Sequence, residues 1–310
     1  MTAKDQTLPN TDVTELPLSV RLRQFAGNAV TRAILGLAMA LPYEKRVPFT
    51  GWVTARLVAP LAGWDKRIRR NLAYAWPELP QAEVDRLVRA VPDNAGRSLI
   101  ESYSHADLRP RLEKLTPEGP GWPEVLKAHE EKRPIFFISG HFGNYDAARM
   151  TVALHMGQIA TLYRPMSNYY FNRHYVEALG SVASPIFPRG RRGLAEMMKY
   201  IRGGNALALL IDQHAGGGAA LSFFGQRAFT ALSATELALK FNGLVVPAYG
   251  IRQPDGLNFR IIFEDPIPHS TAEEMAQQLN DSLEAQVRQH PEQWLWFHRR
   301  WKSETGEVMS

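Results

Sequence analysis

The sequence predicts an α/β fold: a mixed sheet flanked by helices, with a helical N-terminal extension that associates with a membrane. Three observations predict it. From residue 135 onward, short apolar runs alternate with helical patterns. Several of those runs end in polar or charged residues, as strands bearing a site do. Residues 18–64 are instead apolar, rich in arginine and punctuated by proline. The expected organisation is a disordered tail over 1–16, a helical membrane-associating region over 17–110 and an α/β domain over 111–310.

Composition narrows the function. In 310 residues there is no cysteine, which excludes disulfides, cysteine nucleophiles and thiolate metal sites. A formal charge of +5 points to an anionic partner: a membrane surface, a phosphorylated lipid, nucleic acid or an acidic protein. No run is long and apolar enough for a membrane span; the uncharged stretch 33–43 lies between Arg32 and Glu44. Polar residues fill the first fifteen positions, so a cleavable leader is not expected and the chain should remain in the cytoplasm.

Taken in order, residues 18–64 read as two or three apolar helices broken near Pro42, Pro48 and Pro60. Leu22, Phe25, Val30, Ile34, Leu37 and Leu41 share one side, with Arg21, Arg23 and Arg32 elsewhere, which suits a helix lying on an anionic membrane. An amphipathic helix packed on the domain is the other reading. Lys66-Arg67-Ile68-Arg69-Arg70-Asn71 is a basic cluster of the kind solvated helix faces show. Residues 81–103 read as a helix interrupted at Pro92, and 120–129 as a helix leading into a buried strand at 135–138. Further strands are expected at 159–163, 185–187, 206–211, 244–249 and 259–263. Further helices are expected from Asn144 and over 169–179, 193–202, 233–242 and 272–289.

The stretch after the first strand is the candidate site. Gly140 and Gly143 bracket His141, allowing a tight turn and close approach of a ligand. On one continuous helix His141 and Asp146 would diverge by roughly 140°. With His141 in the turn and Asp146 in the helix, the carboxylate can fold back onto one imidazole nitrogen and leave the other as general base. The following helix dipole favours a neutral imidazole. A second match to His-x4-Asp/Glu, His269 to Glu274, reads as a helix start capped by Ser270 or Thr271.

Three later strand ends carry polar groups. Arg164 in Tyr163-Arg164-Pro165 can stabilise an oxyanion, or is a plain surface arginine. Arg189, Arg191 and Arg192 form a basic turn before a helix, suited to phosphate or to solvent. Asp212-Gln213-His214 reads as a site wall, or Asp212 as the partner of a turn. Asn144 and Arg149, beside Asp146, join Arg189, Arg191, Arg192, Asp212 and Gln213 as substrate-binding candidates. Gly216-Gly-Gly218 lacks the lysine of a phosphate loop, no Gly-x-Ser-x-Gly elbow is present, and no zinc-ligand spacing or other metal site is expected.

The ordered set of motifs resembles a known family. His-Phe-Gly-Asn-Tyr-Asp at 141–146, Tyr-Arg-Pro-Met-Ser-Asn at 163–168, Asp212-Gln213, Phe223-Phe-Gly225 with Thr230, and Val245-Val-Pro247 are similar to the bacterial lipid A late acyltransferases. These belong to the wider His-x4-Asp/Glu glycerolipid acyltransferases. Arg69-Arg70-Asn71-Leu72 with Trp76-Pro77-Glu78, and the closing stretch 291–301, extend the resemblance over residues 20–302. It implies transfer of a fatty acyl chain from acyl carrier protein to a hydroxyacyl chain of a lipid A precursor, at the cytoplasmic face of the bacterial inner membrane. No cofactor is implied beyond the phosphopantetheine thioester of the donor. The expected partners are acyl carrier protein, the lipid A precursor and inner-membrane lipids, with no nucleic acid. By position His141 is implied as general base, Asp146 as its orienting carboxylate and Arg164 as the group near the reacting carbonyl. Charge clustering suggests Arg189, Arg191 and Arg192 for the acceptor's phosphates, and Arg67, Arg69 and Arg70 for the acidic carrier protein. Asn168-Tyr169-Tyr170-Phe171 departs from the family's Asn-Pro-acidic pattern. The alternatives are the same chemistry on a glycerolipid or mannosylated lipid, and a non-catalytic anionic-lipid-binding protein.

Overall fold

Ile135–Ser139 (β1) is buried at every position, and each of its apolar side chains, from Ile135 to Ile138, contributes about 1.5–3 kcal/mol of hydrophobic stabilisation. It lies inside a six-stranded sheet ordered β3-β2-β4-β1-β7-β8, made with Ala160–Tyr163 (β2), Ile186–Pro188 (β3), Ala206–Leu210 (β4), Leu244–Arg252 (β7) and Phe259–Phe263 (β8). The first five strands run parallel and β8 antiparallel to β7, so the sheet is mixed as expected. All five parallel strands therefore end on one edge. This computed structural model describes residues 16–302. Residues 1–15 and 303–310 lie outside it, and with them nearly all of the expected N-terminal tail.

Helices cover both faces and the carboxyl edge. Leu18–Met39 (α1) and Tyr43–Val53 (α2) open the chain; a single π-turn over Thr54–Val58 joins α2 to the short Ala59–Leu61 (α3). Trp64–Ala75 (α4), Gln81–Tyr103 (α5), His105–Leu112 (α6) and Gly121–Glu130 (α7) follow. Tyr145–Met156 (α8), Tyr169–Val182 (α9), Arg191–Arg202 (α10), Ser233–Lys240 (α11) and Ala272–Gln289 (α12) alternate with the strands. The expected break at Pro42 occurs between α1 and α2, but α2 runs through Pro48 and α5 through Pro92. Pro92 is buried and α5 packs along α2 and α4, so tertiary contacts offset the bond the proline removes. At α12 the chain makes a full capping box: Thr271 accepts from the Glu274 amide and Glu274 accepts from the Thr271 amide. That confirms the structural reading of Glu274 in the second His-x4-Glu match, while His269 meets the Gly243 carbonyl.

One hairpin was not expected. Ala219–Phe223 (β5) and Gln226–Thr230 (β6) pair antiparallel across Phe224-Gly225, both at positive φ. Phe223 and Phe224 drop into a core with Trp294, Trp296 and Trp301, each at most 1 % exposed. Arg300, fully buried, clamps this hairpin by donating to the Phe229 carbonyl, Thr230 Oγ1 and Asn280 Oδ1. Burial pushes its guanidinium down to about 10.

Candidate active site

His141 follows β1, and Asp212 follows β4, the strand beside it. The parallel register pairs Ile135 with Ala206 and Ser139 with Leu210. The same 71-residue offset continues past the strands and brings His141 against Asp212. His141 Nδ1 lies 2.8 Å from Asp212 Oδ1, and the His141 backbone amide donates to Oδ2 at 2.7 Å. Trp294 Nε1–H adds a third donor to Oδ2 at 2.9 Å. Asp212 is wholly buried, which alone would raise its pKa. The His141 charge and the hydrogen bonds from its ring and amide outweigh that, and hold the carboxyl well below its usual range. With Nδ1 engaged by the carboxylate, Nε2 is the nitrogen left to act as base.

This corrects the dyad read from spacing. Asp146, in the first turn of α8, accepts from Arg149 with Oδ1 at 3.0–3.2 Å and from Ser102 with Oδ2 at 2.8 Å. Arg149 also donates to the Ala183 and Leu179 carbonyls. Asn144 is the N-cap of α8, accepting from the Ala147 amide and donating to Glu101. Asn144, Asp146 and Arg149 are all at most 5 % exposed, so their polar groups hold the start of α8 rather than face a ligand.

The turn itself is fixed from three directions. Gly143 has φ +57°, and a Cβ there would meet the Gly250 carbonyl oxygen at 2.0 Å, so only glycine fits. The Gly143 amide donates to the Gln293 carbonyl, and the Leu295 amide to the His141 carbonyl. From α5, Asn94 and Ser98 donate to the Gly143 carbonyl. Beneath them Glu101 takes both guanidinium ends of Arg252 at 2.6 and 2.7 Å, and Arg252 Nε donates to Asn94. Burial would lower the Arg252 pKa, but the Glu101 charge and hydrogen bonds raise it.

His298 completes the centre. Its ring stands edge-on to that of His141, centroids 4.6 Å apart, and its Nδ1 is enclosed with no hydrogen-bond partner among the described residues. Burial, then the adjoining His141, push it down to about 3, so it is a neutral imidazole. His141, Asp212 and His298 have ligating atoms within 4.8 Å of one another, a cluster that residue spacing did not reveal. Both Asp212 oxygens accept N–H donors, from the His141 ring and amide and from Trp294.

The remaining candidates sit along the same edge. Arg164 follows β2, two strands from β1 in the sheet, hence roughly 10 Å away at the backbone, and is exposed. Arg189, Arg191 and Arg192 follow β3 further out and are exposed, with Arg192 paired to Glu196. Gln213 is exposed, and its carbonyl accepts from Arg300. Sequence reasoning missed Trp294 and His298 as site residues. The signal available was the closing stretch 291–301, dense in aromatic and basic residues.

The chain matches the family described as bacterial lipid A biosynthesis acyltransferase over residues 15–303. It belongs to that family and is an acyltransferase. It is 25% identical to the lipid A biosynthesis lauroyltransferase of Escherichia coli K12 over 251 residues, 79% of this chain and 81% of that one. The palmitoleoyltransferase of the same organism is 23% identical over 279 residues, 87% of this chain and 89% of its own. A phosphatidylinositol mannoside acyltransferase of Mycolicibacterium smegmatis is 21% identical over 254 residues, 79% of this chain and 82% of its own.

Proposed function

We propose that this acyltransferase moves a fatty acyl chain from the thioester of acyl carrier protein to a hydroxyacyl chain of a lipid A precursor. It does so at the cytoplasmic face of the inner membrane and needs no further cofactor. The observation that carries the mechanism is His141 Nδ1 on the buried Asp212 carboxylate. His141 Nε2 takes the proton of the acceptor hydroxyl as its oxygen attacks the thioester carbonyl carbon. The carbon–sulfur bond then breaks, and the imidazolium returns the proton to the departing thiolate, giving ester and thiol. Arg164, on the edge that bears His141, is the proposed donor to the developing oxyanion. Trp294, which donates to Asp212, belongs to a buried aromatic core with Trp296 and Phe297, and this packing keeps water from the carboxylate.

Membrane association is part of the proposal. No helix among the described residues is long and apolar enough to cross a membrane. An exposed apolar surface nevertheless runs over α1 to α3, where Leu37 is 73 % and Leu61 90 % exposed. Such a surface suits a chain that lies in the interface.

The test is transfer from a panel of acyl carrier protein thioesters to the Kdo-bearing tetra-acylated precursor, comparing the wild type with His141→Ala. We expect product from the wild type and a loss of several powers of ten, roughly 10³-fold or more, in the variant. Undiminished transfer by the variant would remove His141 as base. A mannosylated lipid, the acceptor named for one relative, is the second acceptor to assay.

A further inference from the structure

Arg67, Arg70 and Arg299 form a cluster of like charge beside His141 and His298. Arg67 and Arg70 lie three apart on α4, hence on one face. That face is fixed against the closing segment: Asn71 donates to the Trp296 and His298 carbonyls at 2.6 and 2.8 Å, and Trp64 stacks on Phe297 at 3.8 Å. Arg299 follows His298 directly, and the Arg67 charge bears on the His298 ring.

None of the three has a carboxylate partner among the described residues. Arg67 spends donors on the Gly63 and Ala62 carbonyls, and Arg70 Nε is enclosed with no partner. Arg67 and Arg70 are half-buried and Arg299 exposed. Burial, then the charges of Arg299 and Arg70, lower the Arg67 pKa, a sign of mutual repulsion. Their neighbour Arg69 is different: it is ion-paired with Asp85 at 2.5 Å. Holding three guanidiniums together without a counter-ion costs stability, and an anion that seats among them recovers it.

We propose that Arg67, Arg70 and Arg299 form a binding site for a phosphate ester beside His141 and His298. The site deepens the acyl-transfer reading, in which the donor's prosthetic arm and the lipid acceptor both carry phosphate. It departs from the expectation that Arg67, Arg69 and Arg70 act together on the carrier protein, because Arg69 is already paired. Guanidinium forks match phosphate oxygens in pairs, which makes arginine the residue suited to this task.

The test measures binding without transfer, so its failure is distinct from failure of the acyl-transfer reading. The full chain in detergent is titrated with 4′-phosphopantetheine against pantetheine, and with glucosamine 1-phosphate against glucosamine, following heat of binding and melting temperature. We expect one phosphorylated probe to bind and raise the melting temperature while its unphosphorylated counterpart does not. Each of Arg67→Gln, Arg70→Gln and Arg299→Gln should weaken binding by roughly tenfold to a hundredfold. Unliganded, Arg70→Gln and Arg299→Gln should melt no lower than the wild type, since each removes a like charge, whereas Arg67→Gln also gives up the bonds to the Ala62 and Gly63 carbonyls. Preference for phosphopantetheine assigns the site to the donor, and preference for the sugar phosphate to the acceptor. No phosphate-dependent binding, or binding undiminished in the triple variant, overturns the proposal. So does a fall in melting temperature with affinity retained, which would make the cluster structural.

Discussion

Asp212 and Asp146 are both buried carboxylates near one turn, yet the groups they accept from give them opposite tasks. Asp212→Asn keeps the shape, loses the charge and offers His141 the wrong hydrogen-bonding group. We expect kcat to fall by about 10²–10⁴-fold with a urea midpoint near that of the wild type. Asp146→Asn instead strands the Arg149 guanidinium, 5 % exposed, and should cost about 3–5 kcal/mol of stability while the folded fraction retains most activity. The reverse pattern would restore the pair five residues apart as the working one. His298 gives a pH prediction. Its folded-state pKa of about 3 lies below the value near 6.5 of an unfolded histidine. The folded chain therefore leaves this ring neutral where the unfolded chain protonates it. The stability tied to the neutral ring is complete above pH 6.5 and is lost as pH falls towards 3, by about 1.4 kcal/mol per pH unit. Urea titrations over pH 4–7 should show that slope reduced by one proton in His298→Gln.

At the scale of elements, α5 is the helix whose role sequence left unstated. Its positions 94, 98, 101 and 102 make one polar stripe, and each touches the turn, α8 or Arg252. Glu101 is 0 % exposed and Arg252 8 %. Arg252→Met should leave Glu101 charged and unpaired and cost about 3–5 kcal/mol, with Glu101→Leu in the same chain recovering part of it. Denaturant midpoints of the single and double variants measure this; additive losses would show that the pair does not act as a unit. A helix of this length was legible because its period of apolar residues is local. So were β8 and α12, whose residues 259–263 and 272–289 coincide with the expected ones. The β5–β6 hairpin was not, because its strands are short and its turn uses Phe224 at positive φ in place of Asn-Gly. The site was half legible for the same reason. Gly140-His141-Phe142-Gly143 announces itself locally, and Asp212 was singled out as a strand end. That the two meet depends on which strand lies beside β1, which no window of sequence contains.

At the scale of the molecule, the apolar stripe of α1 could be read in the sequence but its surroundings could not, since the same stripe serves a packed helix and an interfacial one. The structure leaves Leu18, Leu22, Phe25, Ile34 and Leu37 exposed, while Gln24 and Asn28 tie the opposite side of α1 to Asn168 and His174 near α9. Val30 lies outside the described side chains. Phe49, Trp52, Leu57, Val58 and Leu61 add a second exposed group around the π-turn, where Arg56 sits 5.4 Å over the Trp52 ring. An apolar surface of this extent with flanking arginines is costly in water and recovers its hydration cost in a bilayer interface. Leu57→Glu with Leu61→Glu should therefore reduce partition onto anionic vesicles by at least about tenfold, since each leucine withdraws roughly 1.5–3 kcal/mol of transfer free energy. Flotation at low and at 1 M salt separates the contributions. The apolar part persists in salt and is what the leucine variant loses, whereas attraction by the excess of five positive charges fades as the Debye length shortens. Unchanged flotation of the variant would mean that this surface is covered by something other than lipid. Activity on vesicle-borne acceptor should fall in step with binding, while activity on acceptor dispersed in detergent should not, because His141, Asp212 and Trp294 are untouched by the change.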